Sequence, residues 1–193
     1  MDSMLTICGP GSDRQGGSHA AHQHERSLRQ RRRHHPLVSA GLIVTAVCLG
    51  LIAAGTADPA AKLWGLRLHV LAGGTALLLT LVRVGWWLWA DTRPAPPAGQ
   101  PAAQRWAARI VHALLYLAVL VLGASGIGTI GLSGAAGALL AGTQLPDFGG
   151  LVPRLVHGAM GQLLLVLLAL HVAAALYHQF IRRDRLLARM GIG

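Results

Sequence analysis

At 193 residues, 53% hydrophobic and only 12% charged, the chain has about half the charge of an average soluble domain. Its charges lie in short blocks between long apolar runs, the pattern of a polytopic membrane protein, and four spans of about 20 residues nearly fill the length and exclude a separate soluble domain. The net charge of +10 comes from arginines flanking those runs, so it points to membrane lipid as a partner and not to nucleic acid.

In chain order, residues 1–27 are rich in Gly, Ser, His and Gln without apolar periodicity and read as a disordered cytoplasmic tail. His19, His22 and His24 belong to that solvated tail rather than to a metal trap. Whether Met1 or Met4 is the true start is open. A basic run, Arg29 and Arg31 to Arg33, leads into His34, His35 and Pro36, and opens a membrane domain expected over 28–191. The first span is expected from about Leu37 to Ala57. Its apolar run exceeds the 7–15 residues of a signal-peptide core, and three more spans follow, so it reads as a retained helix.

The second span is expected from about Leu66 to Ala90, ending in Trp86, Trp87 and Trp89, which suit an interfacial aromatic belt. Asp91 to Gln104 is Pro- and Ala-rich, a composition unsuited to a helix, and reads as a surface connection. A third span is expected from about Trp106 to Leu132, then a Gly-rich loop with Asp147 and Phe148. The fourth runs from about Pro153 to Phe180, with Pro153 suited to a first helical turn. These elements give an all-α, up-down four-helix membrane bundle.

Arginine bias orients it. Arg26, Arg29 and Arg31 to Arg33 precede the first span, Arg93, Arg105 and Arg109 lie between the second and third, and Arg182, Arg183, Arg185 and Arg189 follow the fourth. The opposite side has only Lys62, Arg67 and Arg154. Both termini are therefore expected in the cytoplasm, in a bacterial inner membrane.

Ionisable groups at membrane depth point to function. His157 and His171 are 14 residues apart on the fourth helix, close to four turns, so they share one face about 21 Å apart. His69 lies near the outer start of the second helix, level with His157. His35, or His34, opens the first helix at the level of His171. Four independent histidines would have no reason to pair in depth this way. Each pair suits the axial positions of one haem iron between helices. The two cysteines, Cys8 and Cys48, form neither CxxC nor CxxCH, which excludes a covalently attached c-type haem, a thiolate zinc site and a disulfide framework.

Gly73 and Gly161 follow His69 and His157 by one turn and leave backbone without bulk where a macrocycle would lie flat; close packing between helices explains them equally well. Arg83 shares the face of His69, 14 residues on, and is suited either to haem propionates or to snorkelling toward the cytoplasmic interface. His112, one turn before Tyr116, is suited to a propionate, a quinone or an interhelical hydrogen bond. His178 reads as interfacial.

The segment LHVAAALYHQFIRRDRLLARM, Leu170 to Met190, resembles the C-terminal signature of bacterial cytochromes b561 of the di-haem, four-helix type, a group that includes hydrogenase cytochrome b subunits. LHVLAGGTALLLTLVRVGWWLW, Leu68 to Trp89, resembles that family's second helix, and VHALLY its third. The resemblance covers roughly residues 26–191 and implies two b haems with axial ligation at His35, His69, His157 and His171, the set selected by depth. One departure is His35-Pro36, where the family usually opens its first helix with His-Trp. Proline inside a helix removes a hydrogen bond and kinks it, leaving His34 or His35 to face the iron.

Two axial histidines leave the iron no open position, so the expected chemistry is outer-sphere, one-electron transfer across the bilayer. The resemblance implies quinone as one redox partner and, in some members, superoxide as donor at the outer face. Lys62, Arg67 and Arg154 would then attract the anion. With superoxide as donor the chain is a superoxide:quinone oxidoreductase; otherwise it is an electron carrier. The competing expectations are a haem-bearing subunit linking a dehydrogenase or hydrogenase to quinone, and a structural or zinc- or nickel-handling membrane protein. Clustered ligands would mark the metal-handling case, and two separate levels argue against it.

Overall fold

The computed structural model describes residues 38–90 and 102–182. The tail with His34, His35 and Pro36, residues 91–101 of the connection, and the segment after Arg182 lie outside them. The described residues form helices and loops without strands. They are α1 (Val38–Gly55), α2 (Pro59–Ala90), α3 (Ala102–Ser133), a short α4 (Ala135–Ala141) and α5 (Val152–Leu176), which runs on into a π-helical segment, Tyr177–Arg182. α1, α2, α3 and α5 are long and apolar enough to cross a membrane. Only 11–17% of each is buried inside the bundle, so most of their apolar surface faces outward, as a lipid solvent requires.

α2 begins two turns earlier than its apolar periodicity predicts. Asp58 is the reason. Its carboxylate accepts from the backbone N–H groups of Ala60 and Ala61 at 3.2 and 3.1 Å. These are donors that a helix start leaves unpaired, and a carboxylate also suits the positive end of the helix dipole. Pro59 fits the first helical position, where no N–H is needed. α3 likewise begins at Ala102, so Ala103 and Gln104 are helical rather than part of a linker. Alanine and glutamine favour helix once Pro101 is past.

The loop after α3 contains α4, which the glycine content concealed. Gly134 and Gly142 bound it with left-handed φ of 71° and 79°. Arg67 on α2 closes its C-terminal end. Its Nε donates to the Leu139 carbonyl at 2.6 Å and its Nη2 to that of Leu140 at 3.0 Å. A cation at carbonyls that have no partner within the helix is favourable on both counts. The same guanidinium lies over the Trp64 ring, 5.1 Å from its centroid.

The core is built of small residues. Ala118 and Val119 of α3 and Leu164 of α5 are buried together, flanked by Ile43, Val47, Leu115, Leu122 and Leu167. Between helices in lipid, close approach rather than hydrophobic exclusion supplies the attraction. A Cβ at Gly123 would stand 2.5 Å from both Leu77 methyl carbons, so glycine is what allows α3 to close on α2 there. Thr75, Thr80 and Thr129 return their hydroxyls to the carbonyls of Leu71, Ala76 and Ser125, which satisfies them without water. α3 packs most extensively on α5.

Candidate functional site

Two histidine pairs stand on the bundle's facing helices. At one level His69 of α2 and His157 of α5 meet edge to face, with ring centroids 5.8 Å apart and planes at 79°. The Nδ1–H of His69 donates to the Ala46 carbonyl of α1 at 2.7 Å. That of His157 donates to the Leu122 carbonyl of α3 at 3.0 Å, with the Ser125 hydroxyl 3.2 Å away. Ser125 in turn donates to the same Leu122 carbonyl at 3.1 Å. A carbonyl can only accept, so each Nδ1 carries a proton, and a ring in its neutral form then has its lone pair at Nε2. A histidine fixed this way through one nitrogen and open at the other has the outer-shell arrangement of a metal ligand.

Two glycines make room for these rings. A Cβ at Gly50 of α1 would lie 3.0 Å from His69 Nδ1 and 3.1 Å from its Cε1, and one at Gly126 of α3 would lie 3.3 Å from His157 Cε1. Sequence reading missed Gly50, Gly126, Ser125 and the two accepting carbonyls. The small run from Gly123 to Gly126 was a signal for α3; a backbone carbonyl sends none. Gly73 and Gly161, which it did single out, are open. A Cβ at Gly73 would touch only Ala46 Cβ, at 3.9 Å, and one at Gly161 would touch nothing within 4 Å.

Fourteen residues along α5 from His157, the half-buried His171 faces His112 of α3, with ring centroids 5.3 Å apart and planes at 71°. His112 Nδ1 donates to the Ala108 carbonyl of its own helix at 2.7 Å. Tyr116, one turn on, meets Trp87 edge to face at 4.9 Å. His35 and His34 lie outside the described residues. Arg83 is half-buried and makes no hydrogen bond or ion pair with another described residue. Gln104, at the start of α3, donates from Nε2 to His178 Nε2 at 2.9 Å.

These contacts define a register. On α3, His112, Val119 and Gly126 are seven residues apart; on α5, so are His171, Leu164 and His157. The antiparallel helices set His112 by His171, Val119 by Leu164 and Gly126 by His157. Seven residues are close to two turns, so each set forms one stripe. Val119 and Leu164, members of one buried cluster, lie midway between the two histidine levels.

Metal–imidazole bonds of about 2 Å, with roughly 1 Å more from each nitrogen to its ring centre, place the rings of two axial ligands about 6 Å apart. The His69–His157 separation fits that value. Among the described residues no three His, Cys, Asp or Glu side chains gather as a zinc or nickel cage would need; His69 with His157 and His112 with His171 stand as pairs.

The model of the prokaryotic cytochrome b561 family matches residues 32–193, which include all four helices long enough to span. The chain belongs to that family. This cytochrome b561 is accordingly a multi-pass bacterial membrane protein that binds haem b and transfers electrons. No curated protein and no solved structure matched the chain.

Proposed function

We propose that this cytochrome b561 holds two b haems, one between His69 and His157 near the outer face and one ligated by His171 and His35 nearer the cytoplasm. It passes single electrons across the bilayer to or from quinone. The observation that carries this reading is the His69–His157 pair: two rings 5.8 Å apart, each held through Nδ1 by a carbonyl of a third helix and each open at Nε2. When bound, the haems supply reversible one-electron iron chemistry.

The chain's own residues bind, orient and insulate. The Ala46 and Leu122 carbonyls fix both outer rings in one tautomer, and Gly50 and Gly126 set how close the neighbouring helices approach them. Val119 and Leu164 fill the layer between the levels with apolar atoms. Arg83, on the face of His69 and toward the inner level, is suited to receive propionates. Gly73 and Gly161 leave flat backbone one turn from His69 and His157. His112 and Tyr116 border the inner level.

Both termini lie in the cytoplasm on this reading, from the arginine bias, and the membrane is the bacterial inner membrane. Superoxide is the outer donor that fits best, because Lys62 and Arg154 leave that end cationic while Arg67 is held on α4. The test is a reduced-minus-oxidised spectrum with a haem count on the purified chain, then quinone reduction driven by a superoxide source. Two haems and superoxide-dependent quinone reduction support the proposal. A chain that purifies with a stoichiometric dehydrogenase or hydrogenase, and ignores superoxide, would instead be that enzyme's membrane subunit.

A further inference from the structure

Three of the four histidines at the two levels have an acceptor for Nδ1–H: Ala46 for His69, Leu122 for His157 and Ala108 for His112. His171 differs. Among the described residues no carbonyl or hydroxyl accepts from it, and its close polar neighbour is the His112 ring. That ring has its Nδ1–H on the Ala108 carbonyl, so its Nε2 is an acceptor. A linear N–H···N bond of about 3 Å, plus about 1 Å to each ring centre, sets two imidazoles roughly 5 Å apart. The observed separation is 5.3 Å, with the ring planes at 71°. The register fixes it, since the same stripe of α3 carries glycine opposite His157 and histidine opposite His171.

We propose that His112 is the positioning residue of His171: its Nε2 accepts the Nδ1–H of His171, setting that ring's tautomer and orientation and strengthening it as a donor to iron. The outer level has no counterpart, because there α3 supplies the Leu122 carbonyl and Ser125 while Gly126 stands opposite the ring. A neutral imidazole is a stronger acceptor than an amide carbonyl. The two histidines of α5, His157 and His171, are thereby set apart electronically by residues of α3. A ligand whose outer-shell acceptor is removed becomes a weaker donor, and the ferric state loses stability relative to the ferrous one. The inference rests on His171 holding a haem.

The test is a redox titration of the purified full-length chain in detergent, comparing His112→Phe, which keeps a flat ring without an acceptor, and His112→Gln, which restores one. His171→Ala identifies the inner haem. The expected result is two haems in both variants. In His112→Phe the inner haem's reduced-to-oxidised ratio at fixed ambient potential should rise roughly tenfold, a shift of about 59 mV for one electron. His112→Gln should recover at least half of it, and the outer haem should not move. Identical titrations in wild type and His112→Phe would overturn the proposal. So would loss of the inner haem in His112→Phe, which would make His112 a ligand. A wild-type chain whose haem content is unaffected by His171→Ala would instead remove the reading on which the proposal rests.

Discussion

Gly50 of α1 lies against the His69 ring so closely that a Cβ there would stand 3.0 Å from Nδ1, the nitrogen held by the Ala46 carbonyl one turn earlier on the same helix. One turn of α1 therefore both anchors the imidazole and leaves it space. Gly50→Val must push the ring out of its hydrogen bond or α1 away from α2. We expect affinity for the outer haem to fall about 10- to 100-fold, the range for disturbed outer-shell partners. The reduced-minus-oxidised amplitude should drop toward half that of wild type. Gly126→Ala, where the contact is 3.3 Å, should do the same more weakly. Full amplitude in Gly50→Val would mean that this approach does not hold the ring.

Asp58 caps α2 through Ala60 and Ala61 but touches neither histidine level. Asp58→Ala should lower stability by about 1 kcal/mol, read as a lower midpoint of thermal unfolding in detergent, with haem content unchanged. Asp58→Asn, which keeps an accepting oxygen, should recover most of the loss.

Arg67 ties the α4 loop to α2 through two carbonyls. Arg67→Met keeps the apolar stem and removes both bonds. We expect a loss of about 1–3 kcal/mol, and faster proteolysis between Gly142 and Leu151 when a protease is added to the detergent-solubilised chain. An unchanged cleavage rate would show that α4 holds its place without the guanidinium.

Lys62 and Arg154 bear on the donor. If superoxide delivers electrons at the outer face, Lys62→Gln with Arg154→Gln should slow superoxide-driven quinone reduction several-fold at low ionic strength. The difference should fade as salt screens the field. Equal rates at low salt in the double variant would set aside electrostatic attraction of the donor.

The fold was legible because lipid imposes simple rules: four apolar runs with arginine bias leave little choice but a helical bundle. Helix ends were less legible. Asp58-Pro59 is a start signal of local hydrogen bonding that apolar periodicity does not register, and α4 was hidden by its glycines. His157 and His171 were singled out together because 14 residues preserve a helix face, and His69 because the arginine-set topology places it level with His157; the family resemblance points to the same three. Of these, His69 and His157 lie together in the structure. The neighbour of His171 among the described residues, His112, was named for a propionate, a quinone or an interhelical hydrogen bond, without His171 as its partner. Its place follows from the α3–α5 register, which depends on packing between two helices and not on either one's periodicity. Gly50 was silent for the same reason, since its meaning lies across an interface. His35, beside Pro36, lies outside the described residues.

On the proposed reading the histidines form two separate haem sites. That reading is tested most directly by haem per chain, measured as the pyridine haemochrome against protein mass, in wild type, His69→Ala, His157→Ala and His171→Ala. Two haems are expected in wild type and one in each variant. The same haem should be lost from His69→Ala and His157→Ala, and the other from His171→Ala. One haem in wild type, or loss of the same haem in all three variants, would contradict that reading.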